Sequence, residues 1–212
     1  MKNLKEYLLV FCVIAVCATS HAQKLWDDFS AAAFSPLLSQ KKGETKMETK
    51  ANTVPNGKRH LNFEVVKNPY QQALTACMED GMLIISSGYG MEALVKIAYG
   101  SNKEGLNVDL SKYRNLKIAF KGKSNFARVY VNMWSNGPNR AYWYGDKNRL
   151  EPFYGSIAPN AVNKGKVITI PLNGMALANG KFSLDDVDIV QFQFLGFEAT
   201  GVNYAIDKIW FE

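Results

Sequence analysis

From residue 61 onward, apolar and polar positions alternate with period two in short runs separated by turn residues. That pattern predicts strands exposed on one face and buried on the other. The runs are 61–66, 82–87, 93–99, 115–121, 127–134, 140–145, 166–172, 188–197 and 203–211, with a short opening strand at 23–29. Gly, Asn, Ser and Pro fill the separators, as in Gly100-Ser101-Asn102 and Ser135-Asn136-Gly137-Pro138-Asn139. Helical periodicity is scarce. Asn68-Pro69 is placed to start a short helix through Cys77, and 109–113 and 183–186 read as single turns. Many short strands without a long amphipathic helix predict an all-β fold, a two-sheet antiparallel β-sandwich with little helix. Residues 36–60, rich in Lys and punctuated by Pro36, Pro55 and Gly57, read as a long polar loop or mobile segment.

The alternation also assigns faces. Val129, Val131 and Met133 belong to the core, as do Ile168, Ile170 and Leu172, and Val190, Phe192 and Phe194. The last run is apolar on both sides (Tyr204, Ile206 and Trp210 against Ala205, Ile209 and Phe211), which predicts a strand in the middle of a sheet. The opposite faces are less ordinary. In 127–134 the non-core set is Arg128, Tyr130, Asn132 and Trp134, and in 188–197 it includes Gln191 and Gln193. Tyr142 and Tyr144 share a face nearby, and Phe153 and Tyr154 follow. A solvated face would favour Lys, Glu, Thr and Ser. Flat aromatics, planar amides and a guanidinium instead suit a sugar, whose C–H face stacks on a ring while its hydroxyls pair with amide and guanidinium groups. Ordinary packing beneath a covering loop such as 36–60 is the competing reading. The two glutamines count against it, because buried amides need several partners each.

The first residues set the context. Lys2 and Lys5 precede an apolar run at 8–18, and Ser20-His21-Ala22 fits a small-x-small cleavage site. Residues 1–22 therefore read as a signal peptide cleaved near Ala22, and 23–212 as one domain, secreted or held in the periplasm or cell envelope. The apolar run is shorter than the roughly 20 residues a membrane-spanning helix needs. Lipid attachment through Cys17 is disfavoured by Val16, which stands where a lipobox has a small residue. The formal charge of +6 over the full 212 residues is a mild excess that would favour anionic partners, acidic polysaccharide included. No nucleic-acid recognition motif is present.

Of the three cysteines, Cys12 and Cys17 lie in the leader, which leaves Cys77 alone and excludes an intramolecular disulfide in the mature chain. Cys77, between Ala76 and Met78, reads as a small buried apolar residue. His60 is the one histidine outside the leader, so His-based triads and metal sites are hard to build. Glycoside hydrolysis needs two carboxylates about 5–10 Å apart. Glu92, Asp146, Glu151 and Glu198 sit near strand ends, but no spacing ties two of them together. A lyase could recruit Arg128, Tyr130 and Tyr142. Asp27 and Asp28 on the opening strand and Asp207 on the closing one could hold a structural calcium ion, which takes six to eight oxygens, if those strands are neighbours.

Leu25-Trp26-Asp27-Asp28-Phe29, the runs at 108–116, 167–172 and 182–192, and the closing Asn203-Tyr204-Ala205-Ile206-Asp207-Lys208-Ile209-Trp210-Phe211 together resemble galactose-binding-like jelly rolls. The pattern is most similar to family 11 carbohydrate-binding modules and the related CIA30-type domain. It covers about residues 80–212 plus the first strand. The resemblance implies glycan binding on a concave sheet through aromatics, with Arg128, Tyr130, Trp134, Gln191 and Gln193 on that face, and calcium near the termini. The chain departs from it in lacking an attached glycoside hydrolase and in the Lys-rich insert. The leading expectation is an exported, non-catalytic binder of poly- or oligosaccharide. A polysaccharide lyase or hydrolase using the same cleft, and a protein-interaction or structural domain without glycan ligand, stay open. Oligomeric state is not encoded in any of these features.

Overall fold

The computed structural model describes residues 23–31, 37–39, 41–146, 166–197 and 201–212. Residues 1–22, with Cys17 and Ala22, lie outside them, as do Glu151, Phe153, Tyr154 and Glu198. The strands are β1 (Lys24–Asp27), β2 (Leu37–Ser39), β3 (Gly43–Lys50), β4 (Lys58–Lys67), β5 (Leu74–Glu79), β6 (Met82–Ser87), β7 (Glu92–Tyr99), β8 (Asn115–Asn125), β9 (Arg128–Ser135), β10 (Asn139–Asp146), β11 (Lys166–Pro171), β12 (Ala176–Asn179), β13 (Val187–Gly196) and β14 (Asn203–Phe211). A single 3-10 turn, Leu172–Gly174, is the only helical element among the described residues. No helix there is long and apolar enough to cross a membrane.

Two antiparallel seven-stranded sheets make the sandwich that the alternation predicts. One runs β11-β8-β14-β6-β5-β2, with β1 also pairing β14. The other runs β12-β10-β9-β13-β7-β4-β3. Their inner faces meet in one apolar core containing Leu61, Phe63, Val95, Ile97, Val131, Phe192, Ile118 and Ile206. Where the sheets meet at one end, Phe194 packs against Tyr204 (4.5 Å between ring centroids), Phe126 (5.2 Å) and Phe120 (6.1 Å).

β14 is central in its sheet, as expected: β8 lies on one side, and β6 and β1 share the other. Its core set differs from strict alternation. A register shift between Ile206 and Lys208 advances the pattern by one residue, so Tyr204 and Ile206 but then Ile209 and Phe211 face the core. A bulge of this kind inserts one residue and reverses the parity beyond it.

The segment 36–60 is not one loop. β3 forms the outer edge of its sheet, paired with β4 along its length. Its pattern Thr45, Met47, Thr49 (half-buried) against Glu44, Lys46, Glu48 (exposed) is a true alternation. Its apolar side is too thin to announce a strand, and its charged side is what an edge needs to discourage pairing with another chain. The helix expected from Asn68 is absent as well. Asn68 and Gln72 close a turn through two side chain–backbone hydrogen bonds, and Leu74, Ala76 and Met78 then alternate as a buried strand. Cys77 consequently points away from the core and is only half-buried; desolvation raises its thiol pKa.

β1 is held by a buried ion pair. Asp27 and Arg59 are 1 % and 0 % exposed. Arg59 donates from Nε to Asp27 Oδ2 and from Nη2 to Oδ1, both at 2.6 Å. Tyr99 donates its hydroxyl to Oδ2 at 2.6 Å, and the Phe29 backbone N–H donates to Oδ1 at 2.9 Å. Burial, then the neighbouring carboxylate, keeps the Tyr99 phenol pKa well above its ordinary value, so it stays a donor.

This arrangement does not fit the calcium expected at Asp27, Asp28 and Asp207. Both Asp27 oxygens are already filled by four donors, two of them on the cationic Arg59 guanidinium. Asp28 is turned to the Ser30 hydroxyl and amide, and Asp207 pairs with Lys121 at 2.9 Å. The described residues hold no cluster of three or more His, Cys, Asp or Glu able to bind a metal.

Candidate functional site: an aromatic and amide sheet face

The registers of the β12–β3 sheet place its outward side chains in cross-strand rows. One row reads Lys46, Asn62, Lys96, Gln193, Tyr130, Tyr144. The next reads Glu48, His60, Ala98, Gln191, Asn132, Tyr142. Beyond it Ile189, Trp134, Arg140 and Asn179 align, and on the opposite flank Glu64, Leu94, Leu195 and Arg128. All eight residues expected on the binding face (Arg128, Tyr130, Asn132, Trp134, Tyr142, Tyr144, Gln191 and Gln193) therefore share one face of β10, β9 and β13. With strands about 4.8 Å apart, a six-strand row is roughly 24 Å long.

The aromatic end is preorganised. Tyr130 and Tyr144 lie 5.0 Å apart at a 36° tilt. The Arg128 guanidinium stands 5.9 Å from the Tyr144 ring and 5.3 Å from Phe197, and that of Arg140 stands 5.9 Å from Trp134. Gln193 donates to Gln191, which fixes the two amides side by side. Tyr130, Trp134, Tyr142 and Tyr144 are half-buried, so each ring is supported yet keeps exposed surface. Asn132 is the exception, at 6 % exposure, packed low between its neighbours.

Beyond β13 lie residues that the strand pattern alone did not nominate: Lys96, His60, Asn62, Lys46 and Glu48. They line, with Ala98 and Gln191, a cleft of about 440 Å³. Lys46 and Asn62 both hydrogen-bond Glu44 and hold its carboxyl below the usual range. Asn62 Oδ1 is buried with no hydrogen-bond partner among the described residues. Lys96 meets Glu64 at 3.7 Å. Burial alternates along β4 and β7, with Asn62, Glu64 and Lys96 on the non-core face, and the pairing order brings this face beside the tyrosines. Among the carboxylates weighed for hydrolysis, Glu92 is at the start of β7 and Asp146 at the end of β10, opposite Arg128.

The fold and this decorated face define a jelly-roll type antiparallel β-sandwich with one aromatic, amide-rich sheet surface. No family model matches the chain, and no curated protein does. Among solved structures it is similar to the family 11 carbohydrate-binding module of the cellulosomal cellulase Lic26A-Cel5E of Clostridium thermocellum. The identity is 14 %, over 90 % of this chain and 94 % of that one, with a TM-score of 0.43. A family 11 module from the same organism, in complex with a β-1,3-1,4-mixed-linked tetrasaccharide, gives 14 % identity over 89 % and 94 % of the chains and a TM-score of 0.41. A carbohydrate-binding module of the β-sandwich superfamily gives 7 % over 84 % and 56 %, with a TM-score of 0.36.

Proposed function

We propose that this chain is an exported carbohydrate-binding protein that lays a glycan along the outer face of the β12–β3 sheet and performs no chemistry on it. The observation that carries this reading is the row in which Gln193 and Lys96 continue directly from Tyr130 and Tyr144. Stacking surfaces at one end and hydroxyl-pairing groups beyond them share one line, which suits the ring faces and hydroxyls of a chain of pyranose units. Two or three stacks and three or four hydrogen bonds, at about 1 kcal/mol each, give roughly 5–7 kcal/mol before ordering costs. That corresponds to a Kd between about 10 µM and millimolar. The half-buried rings and the paired glutamines support a ligand face over a covered one. The cations at Lys46, Lys96 and Arg128 leave room for a glycan that carries some negative charge.

Titration calorimetry of residues 23–212 with soluble β-glucan and polyuronate oligosaccharides tests the proposal. Tyr130→Ala should weaken binding about tenfold or more, the cost of one lost stacking contact with its hydroxyl, while thermal stability stays within a few degrees. Unfolding of this variant would make the ring a core element and remove the basis for the site. Release of unsaturated ends from polyuronates would instead establish a lyase.

A further inference from the structure

The hairpin between β9 and β10 and the loop 100–108 after β7 enclose a second cleft, of about 460 Å³. That lies in the range of small-molecule sites, roughly 300–1,000 Å³. Trp134, Ile189 and Pro138 supply apolar lining; Asp188, Asn102 and Asn107 supply polar lining. Three features of the backbone build it. First, a register shift between Val187 and Ile189 makes Asp188 an extra residue in β13, so Asp188 and Ile189 both line the cleft where strict alternation would send one of them inward. Second, the loop comes in against this bulge: Leu106 N–H donates to the Asp188 carbonyl at 2.8 Å, and a Cβ on Gly105 would sit 2.7 Å from the Asp188 carboxylate. Third, Asn107 is held at φ 48°, a left-handed conformation that only a few side chains adopt readily.

We propose that this cleft is a second saccharide subsite, continuous with the sheet face through Trp134, and that it takes a neutral sugar unit at the end of a glycan chain. Trp134 stands in the row beside Asn132 and also lines the cleft, so one ring serves both. The charge of the lining residues fixes the ligand class. Asp188 is the only ionisable side chain among the described lining residues, and a carboxylate accepts hydrogen bonds from adjacent sugar hydroxyls while repelling a uronic acid or sulfate. The nearby cation, Arg140, lies over the indole. The inference rests on the carbohydrate reading of the sheet face but uses different residues, so the two can fail separately.

The test is a ¹⁵N-resolved NMR titration of residues 23–212 with glucose, galactose, xylose and glucuronate, and with a cello-oligosaccharide series. The expected result is that the Gly105 and Asn107 amides and the Trp134 indole N–H shift with at least one neutral monosaccharide and not with glucuronate. In Asp188→Ala, with an otherwise unchanged spectrum, the monosaccharide Kd should rise about tenfold, the loss of one or two charge-assisted hydrogen bonds. The Gln193 side-chain amide should still respond to the longer oligosaccharides. Asp188→Asn, which keeps the shape, should restore part of the response and relax the exclusion of glucuronate. Shifts confined to Gln193 and Tyr130 would overturn the cleft subsite and leave the sheet-face reading standing. Shifts confined to the cleft would do the reverse, and a folded protein with no shift at either place would overturn both.

Discussion

Replacing Arg59 by Ala should cost about 3–5 kcal/mol, the penalty typical of removing one partner from a buried ion pair. For a chain of this size that lowers the melting temperature by roughly 6–20 °C. The reason lies less in the attraction lost than in what remains. The Asp27 carboxyl would be left buried with only the Tyr99 hydroxyl and the Phe29 amide as donors. Arg59 also donates to Thr49 and Met78 Sδ and stacks over Phe29 at 4.5 Å, so its removal loosens β3, β5 and the residues after β1 together. The combination Asp27→Leu, Arg59→Met, Tyr99→Phe separates pairing from packing. With all three polar groups gone and volume roughly kept, most of the loss should be recovered, short of about 1 kcal/mol for the Phe29 amide. Chemical denaturation of the single and triple variants measures both quantities. A single variant within 1 kcal/mol of the parent would mean that the pair does not anchor β1.

Phe194→Ala should be comparably damaging, at about 3–5 kcal/mol, because it removes a large buried ring from a closed cluster. Phe194 touches Phe126 and Tyr204 edge-on or tilted and reaches Phe120 across the sandwich. The urea midpoint should fall with the slope nearly unchanged, since the fold and its buried area are otherwise kept. The neighbours of Phe194 on β13, Gln193 and Leu195, point to the opposite face. Glycan affinity of the surviving folded fraction should therefore move far less than stability. A matched loss of both would show that the binding face depends on this cluster for its shape.

How much of this was open to inspection in the chain varies by element. Strands 82–87 and 203–211 are bounded in the structure as the alternation has them, because turn residues stop them sharply. β3 is hidden by its composition: Met47 is the one large apolar side chain on its inner side. β5 is hidden by the Asn68-Pro69 start, which reads as a helix cap but serves as a turn. The parity change in β14 depends on a bulge, which leaves no mark in residue type. Asp27 looked like a ligand for calcium because its partner lies 32 residues away in the chain, and nothing in the spacing of Asp27 and Arg59 pairs them. The outer face of the β12–β3 sheet shows the same division. Its chemistry was legible strand by strand, as the outward sets of β9, β10 and β13. Its extent was not, because β13 sits between β9 and β7, and β4 beside β7, an order fixed only by the whole topology.

β1 and β14 run side by side, with Lys24 opposite Phe211, in the sheet whose outer surface is turned away from the tyrosines. Anything joined to either of these strands therefore leaves from the sheet that does not carry the tyrosines. A surface tether, an affinity handle or a fused catalytic domain attached before β1 or after β14 would leave the aromatic side facing outward and unobstructed.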